Sequence, residues 1–353
     1  MVTNHIIISI IFITFILSIH CQLNNNNTIQ YDLWIKWKLK YKQNYNENID
    51  DLIQFNYWQL NVQQILLHNL QYDLGIKTYR KSINQYTAIN WNEYKKRLHH
   101  QTIQLNSLIQ NKNVVKTAAA AAADDDDDDD VIRITNVIDE ELPLHFDWRD
   151  NDTVTTVKTQ DNCGSSWAFA AVEALEGQLK LKTNKLIPLS AQQLIDCTGD
   201  HECVENPLPV GFDYLKHKGV ESEDDYKFVG NVENCTYNAS KVVITASSYS
   251  QVLPISEDEL QKALYTYGPI AVTIAMTQEF LAYESGVLIP TDCQDKEAFE
   301  SVLLVGYGIE DEIPYWLIKF SLGTEFGDQG YIKLARNHSN MCHIASYAYY
   351  PVI

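Results

Sequence analysis

The spacing of apolar residues separates the chain into a helical first part and a strand-rich second part. Between residues 49 and 66, apolar side chains recur every three or four positions, as they do along one face of an α-helix. Beyond residue 240, runs of β-branched and aromatic residues alternate with turn residues, which predicts β-strands. The predicted strands are residues 242–249, 270–275, 302–307 and 315–319.

The N-terminus carries an apolar stretch at residues 6–19, interrupted only by Ser9, Thr14 and Ser18. A stretch of this length is too short to cross a bilayer comfortably and is typical of the apolar region of a signal peptide. We therefore predict a signal peptide at residues 1–21, with a membrane anchor as the alternative. No second apolar stretch of that length follows, so the processed protein is expected to be soluble and free of the membrane.

The composition is that of a globular protein, with 45% hydrophobic and 21% charged residues over a length of 353. The formal net charge is −19, to which an unbroken run of aspartates at 124–130 contributes. Alanines 118–123 precede this run, and a block of like charges repels itself and remains solvated. We therefore predict a disordered linker at 116–136. The lack of a basic patch in the sequence excludes a nucleic-acid partner.

The sequence has 7 cysteines, and an odd number in a secreted protein needs an explanation. Removal of the signal peptide with Cys21 leaves an even number, which suits disulfide bonding in an oxidising compartment. No two cysteines have the C-x2-C spacing of a zinc site, so we predict neither a metal nor a cofactor. N-x-[ST] sequons agree with secretion. The glycosylation candidates are Asn26, Asn151, Asn234, Asn238 and Asn337.

The most informative stretch is residues 160–169, with the sequence Q-D-N-C-G-S-S-W-A-F. It resembles the pattern Q-x-x-C-G-S-C-W-A-F of papain-like cysteine proteases. The resemblance implies that Gln160 holds the position of the oxyanion-hole donor. It also implies that Ser166 holds the position of the nucleophilic cysteine, at the start of a long helix. A serine hydroxyl is a far weaker acid than a thiol, so Ser166 would need a positioned base.

The two other catalytic positions of the family also hold different residues. Residues 299–308 resemble the family's N-H-A-V-L-L-V-G-Y-G segment, which places Glu300 at the position of the histidine base. A carboxylate with an ordinary pKa of about 4.3 is a poor base for an alcohol at neutral pH. Residues 316–331 resemble the segment that carries the orienting asparagine, and Phe320 occupies that position.

Substrate-binding positions differ from the family pattern as well. The family's disulfide cysteine is followed by N-G-G, whose glycine backbone pairs with the substrate, whereas Cys203 is followed by Val204, Glu205 and Asn206. We therefore expect side chains in a groove that is open in the family, and we expect this altered groove to be a contact surface. The predicted groove residues are Trp167, Glu205, Asn206, Leu322 and Phe326.

The helix predicted upstream resembles the inhibitory propeptide of cathepsin L-like proteases. The matching residues, which steps of three and four place on one helix face, are Trp58, Asn61, Ile65 and Asn69. The departures from the propeptide pattern are Asp50, Gln54 and Ala88. We predict a helical propeptide at 22–115 and a papain-like peptidase domain at 137–353, whose opening segment 142–149 resembles the family's P-x-x-x-D-W-R.

The resemblance implies an α+β fold of the papain-like, two-lobed type, with a helical left lobe and a β-barrel-like right lobe, preceded by the helical inhibitory propeptide. The central helix is expected at 166–180, and Ser190 is expected to cap a second helix at 191–196. The cysteines alone would allow many pairings. The resemblance selects Cys163–Cys203, Cys197–Cys235 and Cys293–Cys342.

The substitutions favour a secreted pseudoenzyme, a cathepsin L-like zymogen scaffold without a working triad and with a binding or decoy role. Two alternatives stay open. One is an atypical serine-type hydrolase that uses Ser166 with Glu300 or a nearby histidine, and the other is a storage or structural protein. The expected partners are the protein's own propeptide in the groove, and protease inhibitors, peptides or host proteins. We expect a monomer in the secreted or endo-lysosomal part of the secretory pathway.

Overall fold

The computed structural model describes residues 27–45, 48–96, 98, 142–199, 203–293 and 298–353. The predicted signal peptide and the predicted linker lie outside the described residues. The chain forms two compact units. The first contains the described residues up to Leu67 together with Ile83–Asn90, and the second contains His68–Ser82 and the described residues of Trp91–Ile353.

The first unit is built around an aromatic cluster. Helix α1 (Asn27–Lys40) and helix α2 (Asn48–Asp73) contribute three tryptophans that are almost completely buried. The rings of Trp34 and Trp37 stack with their centroids 5.0 Å apart, and Trp58 packs against both. Large aromatic side chains bury much apolar surface per residue, so a small unit gains a core from a few of them.

The buried face of α2 differs from the one suggested by its aliphatic residues. Trp58 and Ile65 are 4% exposed, whereas Ile49 is 70% and Leu52 59% exposed. The buried face also carries Asn61, whose amide donates to the Thr87 oxygen at 2.7 Å. The apolar spacing therefore predicted the helix correctly, and its buried face carries the propeptide residues Trp58 and Ile65. Hydrogen bonds from side-chain amides of α2 to the following segment fix the face of the helix that carries the residues resembling the propeptide pattern.

Helix α3 (Ser166–Thr183) is the central helix of the second unit, and almost every residue of its first three turns is buried. Helices α4 (Ala191–Cys197) and α5 (Leu208–His217) accompany it. A side-chain carbon at Gly211 of α5 would lie 3.0 Å from the Ala171 methyl group of α3, so glycine permits this close approach. The helices predicted at 166–180 and 191–196 are thus present, each slightly longer than expected.

Ser190 caps α4, and its replacement by alanine should destabilise the fold. Its hydroxyl accepts from the Gln193 N–H at 3.0 Å and donates to the Tyr226 oxygen at 2.7 Å. Ser256 caps helix α6 (Glu257–Tyr267) by one bond, from the Glu259 N–H. We expect Ser190→Ala to cost about 1–2 kcal/mol and Ser256→Ala about 0.5–1 kcal/mol in urea unfolding. Equal losses would contradict a contribution from the second bond of Ser190.

The main sheet of the described part has 9 strands in the order β1-β7-β10-β9-β8-β6-β11-β5, and β2 pairs with β8 outside this path. Strands β3 and β4 form a separate pair. A short helix α7 (Gln278–Leu281) precedes β7. The strands are β1 Tyr79–Lys81, β2 Phe146–Asp147, β3 Val220–Glu221, β4 Val242–Ile244, β5 Ser248–Gln251, β6 Ile270–Ala275, β7 Tyr283–Leu288, β8 Phe299–Glu310, β9 Ile313–Lys319, β10 Tyr331–Ala335 and β11 Ala348–Val352.

Strands β6, β8 and β9 cover the strands predicted at 270–275, 302–307 and 315–319. The prediction of one strand over 242–249 is wrong, because the chain changes partner within it. Strand β4 pairs with β3, and β5 pairs with β11. Between them, the Ala246 N–H donates to the Leu215 oxygen and the Ser247 N–H donates to the Val352 oxygen. The sequence pattern indicates that this backbone is extended, but it does not indicate that the chain leaves one strand partner for another within the segment.

Three disulfides join distant segments: Cys163–Cys203, Cys197–Cys235 and Cys293–Cys342. They close loops of 40, 38 and 49 residues. In the chain-entropy account, a loop of this length stabilises the fold by about 4 kcal/mol. Within the described residues, no helix combines the length and apolar character needed to cross a membrane.

Candidate active site

Ser166 lies where a loop enters the first turn of α3. The loop reaches this point through Gly164, where a side-chain carbon would lie 3.1 Å from the Cys203 oxygen and 3.2 Å from the Glu205 nitrogen. The adjacent disulfide Cys163–Cys203 holds the same two segments together. The segment that follows Cys203 is therefore close enough for the Glu205 side chain to reach the start of α3.

The carboxylate of Glu205 accepts two hydrogen bonds from Ser166. The Ser166 hydroxyl donates to Oε2 at 2.7 Å, and the Ser166 backbone N–H donates to Oε1 at 3.2 Å. The Trp167 N–H also donates to Glu205. The first N–H groups of a helix have no partner within it, and the helix N-terminus favours negative charge. Glu205 therefore caps α3, whereas Ser165 at the cap position makes no such side-chain bond.

The Ser166 hydroxyl is also an acceptor. The Ser301 backbone N–H of β8 donates to the Ser166 Oγ at 2.9 Å. Ser166 is completely buried, so its oxygen has a fixed position between the donor from β8 and the carboxylate of Glu205. Ser166 is thus a built-in part of a buried hydrogen-bond network.

Glu300 precedes Ser301 on β8 and is completely buried. The Gln160 side-chain amide donates to Oε1 at 3.3 Å, and the Tyr94 hydroxyl donates to Oε2 at 3.2 Å. Gln160 is itself held by the Ser321 hydroxyl, which donates to its Oε1. The site therefore contains a second buried carboxyl group, fixed by a loop amide and by a tyrosine from far upstream in the chain.

Both buried carboxyl groups have raised pKa values. Burial raises the pKa of Glu300 to about 8, and the nearby charge of Glu205 acts in the same direction. Burial also raises the pKa of Glu205 to about 7, against the hydrogen bonds from Ser166 and Trp167, which lower it. Two interacting carboxyl groups lose their protons in separate steps. The pair therefore retains a proton up to near-neutral pH.

Residues 142–352 match the papain family cysteine proteases, and residues 34–99 match the cathepsin propeptide inhibitor domain. The chain belongs to the papain family of cysteine proteases. It carries the family's propeptide domain ahead of its peptidase domain.

Curated papain-family relatives resemble the chain over nearly its whole length. Cathepsin S of Mus musculus is 36% identical over 339 residues, covering 94% of this chain and 93% of the relative. A cathepsin L-like proteinase of Fasciola hepatica is 34% identical over 325 residues, covering 91% and 93%. The chain is therefore cathepsin-like in both of its family domains.

A solved structure of a papain-family proenzyme confirms the fold. The digestive procathepsin L 3 of Tenebrio molitor larval midgut superposes with a TM-score of 0.79 at 29% identity, covering 93% of this chain and 100% of that chain. The predicted papain-like α+β fold with an N-terminal propeptide domain is correct.

The structure differs from the expected papain-family groove at several residues. Glu205 and Asn206 were expected to place side chains where the family's groove is open, and both side chains are buried, at 0% and 1% exposed. The cause is the start of α3, whose N–H groups draw the Glu205 carboxylate inward. In the alternative of a serine-type hydrolase, Ser166 would pair with Glu300 or a nearby histidine, whereas its hydroxyl donates to Glu205.

The remaining predicted groove residues are buried too. Trp167 is 2% exposed, and its indole N–H donates to the Val204 oxygen at 3.2 Å. Phe320 and Phe326 are completely buried with ring centroids 5.1 Å apart, and Leu322 is 4% exposed. Phe320 therefore belongs to an apolar cluster and offers no hydrogen-bonding group that could orient a base.

Two of the described histidines that the sequence left as candidates bond elsewhere. In the part of the chain that the structure describes, the side-chain partners of Ser166 are Glu205 and Ser301. His145 accepts from the Ile309 N–H, and His217 bonds the Asp213 oxygen within its own helix. The cap by Glu205 and the bond from Tyr94 were not predicted. A glutamate two positions after a cysteine that is disulfide-bonded beside a helix start could have indicated the first, whereas no sequence signal indicates the second.

Proposed function

We propose that the chain is a papain-family pseudoenzyme, a secreted or endo-lysosomal protein that binds partners without hydrolysing them. One observation carries this proposal: both candidate oxyanion donors already donate to the protein's own carboxyl groups. The Ser166 N–H donates to Glu205, and the Gln160 amide donates to Glu300. The predicted boundaries of the propeptide (22–115) and of the peptidase domain (137–353) are part of the proposal.

Occupied donors weigh against acyl transfer. Hydrolysis of a peptide passes through a tetrahedral oxyanion, and enzymes stabilise it with donors aimed at the developing charge. Here a substrate oxygen would have to displace Glu205 from the Ser166 N–H and Glu300 from Gln160. It would also acquire negative charge beside two carboxyl groups, which raises the energy of the transition state further.

The Ser166–Glu205 bond favours one alternative, a serine-type hydrolase. At 2.7 Å the carboxylate is within reach of the hydroxyl proton, and its pKa of about 7 is that of a usable general base. The base would then be Glu205 and not Glu300. Against it, the Ser166 oxygen also accepts from Ser301, and Glu205 cannot both cap α3 and leave the oxyanion donor open.

The proposed activity is capture of peptides, protease inhibitors or host proteins by a papain-family surface without turnover. The relatives that resemble the chain are described as proteinases and cathepsins, so their ligands are peptide chains. A protein with this fold that has lost its hydrolytic activity would still bind peptides but would not cleave them. We expect the protein to act as a monomer.

The test is hydrolysis and binding of fluorogenic peptides by the processed protein. We expect wild type and Ser166→Ala to be equally inactive, while both bind a subset of the peptides saturably in fluorescence anisotropy. Glu205→Gln is the matched control, because it removes the base and keeps an acceptor for the Ser166 N–H. If wild type hydrolyses a peptide, and both Ser166→Ala and Glu205→Gln abolish this hydrolysis, the pseudoenzyme proposal is wrong. The protein would then be a serine-type hydrolase.

A further inference from the structure

Helix α2 has a second apolar face, on the side opposite the aromatic cluster. The buried side is marked by Trp58 and Ile65. At 3.6 residues per turn, a set of large aliphatic side chains lies about 120–180° around the helix axis from Trp58. These side chains, which we call the outer face of α2, are 40–70% exposed and belong to Ile49, Leu52, Ile53, Leu60 and Leu67.

The outer face of α2 also lacks charge. No Asp, Glu, Lys or Arg occurs at residues 54–72. The exposed side of a helix in a soluble protein normally carries charged and polar residues. Acidic residues near the two ends of α2 have cationic partners within the chain, since Asp51 pairs with Lys38 and Asp73 pairs with Arg80. A continuous apolar, uncharged and exposed face is typical of a protein contact surface.

The apolar residues of the outer face recur at the interval of paired helices. Ile53, Leu60 and Leu67 are seven residues apart, and the amide residues Asn56 and Gln63 lie three positions after the first two. Helices that pair along a seam carry apolar residues at a seven-residue repeat, and an amide in the seam is tolerated at a cost in stability. The spacing therefore indicates that the partner of this face is another helix.

The pattern is symmetric about Leu60, because Ile53 and Leu67 lie seven residues before and after it. In an antiparallel pair with a two-fold axis at Leu60, this residue would meet its own copy, and Ile53 would meet Leu67 of the partner subunit. A parallel pair would bring the acidic first turns of both helices, with Asp50 and Asp51, to the same end. It would also align the two helix dipoles, so the antiparallel arrangement is favoured.

We propose that the outer face of α2 is a homodimer interface, in which two copies of the chain pair their α2 helices antiparallel about Leu60. The formal net charge of −19 opposes the approach of two copies. Contact is opposed least where neither copy presents a charge, which is the case along residues 54–72. The proposal does not depend on the proposed function, since the interface lies outside the Ser166 site.

The size of the outer face determines how strong the dimer is. Helix α2 has 26 residues, and at about 1.5 Å per residue and about 10 Å in width it offers roughly 400 Å² per copy. Stable interfaces bury about 800 Å² per partner, so this dimer belongs to the weak class. We expect a dissociation constant on the order of 10 μM.

The dimer belongs to the chain that still carries its propeptide domain. Helix α2 lies within residues 34–99, which match the cathepsin propeptide inhibitor domain. The interface is therefore lost with this domain, and the processed protein remains a monomer. Processing would convert a weak dimer into monomers whether or not the processed protein has enzymatic activity.

The test is sedimentation equilibrium of the propeptide-bearing chain from about 1 to about 300 μM, a range that brackets the expected dissociation constant. We expect the wild-type mass to rise from monomer to dimer. Leu60→Glu places two like charges against each other at the two-fold axis and should weaken the dimer by at least about 10²-fold. An equimolar mixture of Leu60→Glu and Leu60→Lys should recover dimers, because opposite charges then meet.

The matched control is Leu39→Glu, which introduces the same charge at an exposed leucine of α1 in the same compact unit. We expect it to leave the dissociation constant unchanged. Leucine and glutamate have similar helix propensities and Leu60 is exposed, so Leu60→Glu should keep the melting temperature of wild type.

Cysteine cross-linking under mild oxidation reports the orientation. A disulfide needs Cα atoms within about 7 Å, and seven helical residues span roughly 10 Å. In the antiparallel pair, Ile53→Cys should cross-link to Leu67→Cys in a mixture and not to itself. Self-linking of Ile53→Cys would contradict the antiparallel arrangement.

A monomer at every concentration, or a dimer that Leu60→Glu and Leu39→Glu affect equally, would overturn the proposal. A monomeric wild type whose melting temperature falls in Leu60→Glu would show that the chain covers this face itself. A monomer that binds phosphatidylcholine vesicles through Leu60 would assign the face to lipid. Each of these results is separate from the hydrolysis assay, which does not involve α2.

Discussion

Replacing Glu205 by glycine should raise the peptidase activity of a revertant by about 10² to 10³-fold. The revertant carries Ser166→Cys, Glu300→His and Phe320→Asn, which restore the residues of the family pattern at these three positions. The sequence also marks position 205 as a departure, but only at a substrate-binding position and not at an oxyanion donor. The structure gives Glu205 a direct effect on catalysis, because its carboxylate accepts from the backbone N–H of residue 166.

The size of this effect comes from one hydrogen-bond donor. Loss of a single oxyanion-hole donor typically costs about 10² to 10³-fold in kcat. Glu205→Gly frees the N–H of residue 166 and removes a negative charge next to the developing oxyanion. Glu300→His has already released Gln160, so both donors become available in the fourfold variant.

The measurement compares kcat for one fluorogenic peptide in the threefold and fourfold variants. The control is the threefold variant with Glu205→Gln, whose side-chain oxygen still accepts from the backbone N–H and whose activity should remain low. Equal activity of the glycine and glutamine versions would show that occupation of this donor does not limit catalysis. The melting temperature of each variant reports whether loss of the cap on α3 disturbs the fold.

Local patterns predicted the elements that surround the site. Strand β6 coincides with the predicted segment 270–275, since a continuous buried run bounded by turn residues has a clear signature. The cap at Ser190 was predictable because its hydroxyl bonds three residues further along the chain. Elements that depend on neighbours in sequence were therefore accessible without a structure.

The chemistry of the site depends on residues far apart in the chain, and these contacts were not predictable. Glu205 lies 39 positions from Ser166, and Tyr94 lies 206 positions from Glu300. A substitution at a family position shows which group was lost, but not which distant side chain takes the free donor. The sequence placed Glu205 and Glu300 at groove and catalytic positions, but it did not indicate that their carboxyl groups accept from the N–H of Ser166 and the amide of Gln160.

Breaking the buried ion pair between Lys319 and Glu173 should destabilise the second unit strongly. Lys319 at the end of β9 is almost completely buried, and its ammonium lies 2.7 Å from the Glu173 carboxylate of α3. It also donates to the Thr155 hydroxyl, which in turn donates to Glu176. Burial raises the pKa of Glu176 to about 7, and Lys319 opposes that rise.

We expect Lys319→Met to reduce the free energy of unfolding by about 3–5 kcal/mol at neutral pH. The variant leaves Glu173 and Glu176 buried without their cation, so the pKa values of both rise further. A group whose folded pKa is raised stabilises the fold at low pH and loses that contribution as the pH rises through it. The loss measured in urea should therefore be smaller at about pH 5 than at about pH 8.

The double variant Lys319→Met/Glu173→Gln is the decisive comparison. It removes the cation and the buried charge together, so it should recover much of the stability lost in Lys319→Met. Its unfolding should also depend less on pH, because only Glu176 still titrates in the cluster. If the single variant lost less than about 1 kcal/mol at both pH values, the pair would behave as an exposed salt bridge, contrary to its burial. If both variants lost a large part of the free energy of unfolding, the cause would instead be the packing of the aliphatic part of the lysine side chain.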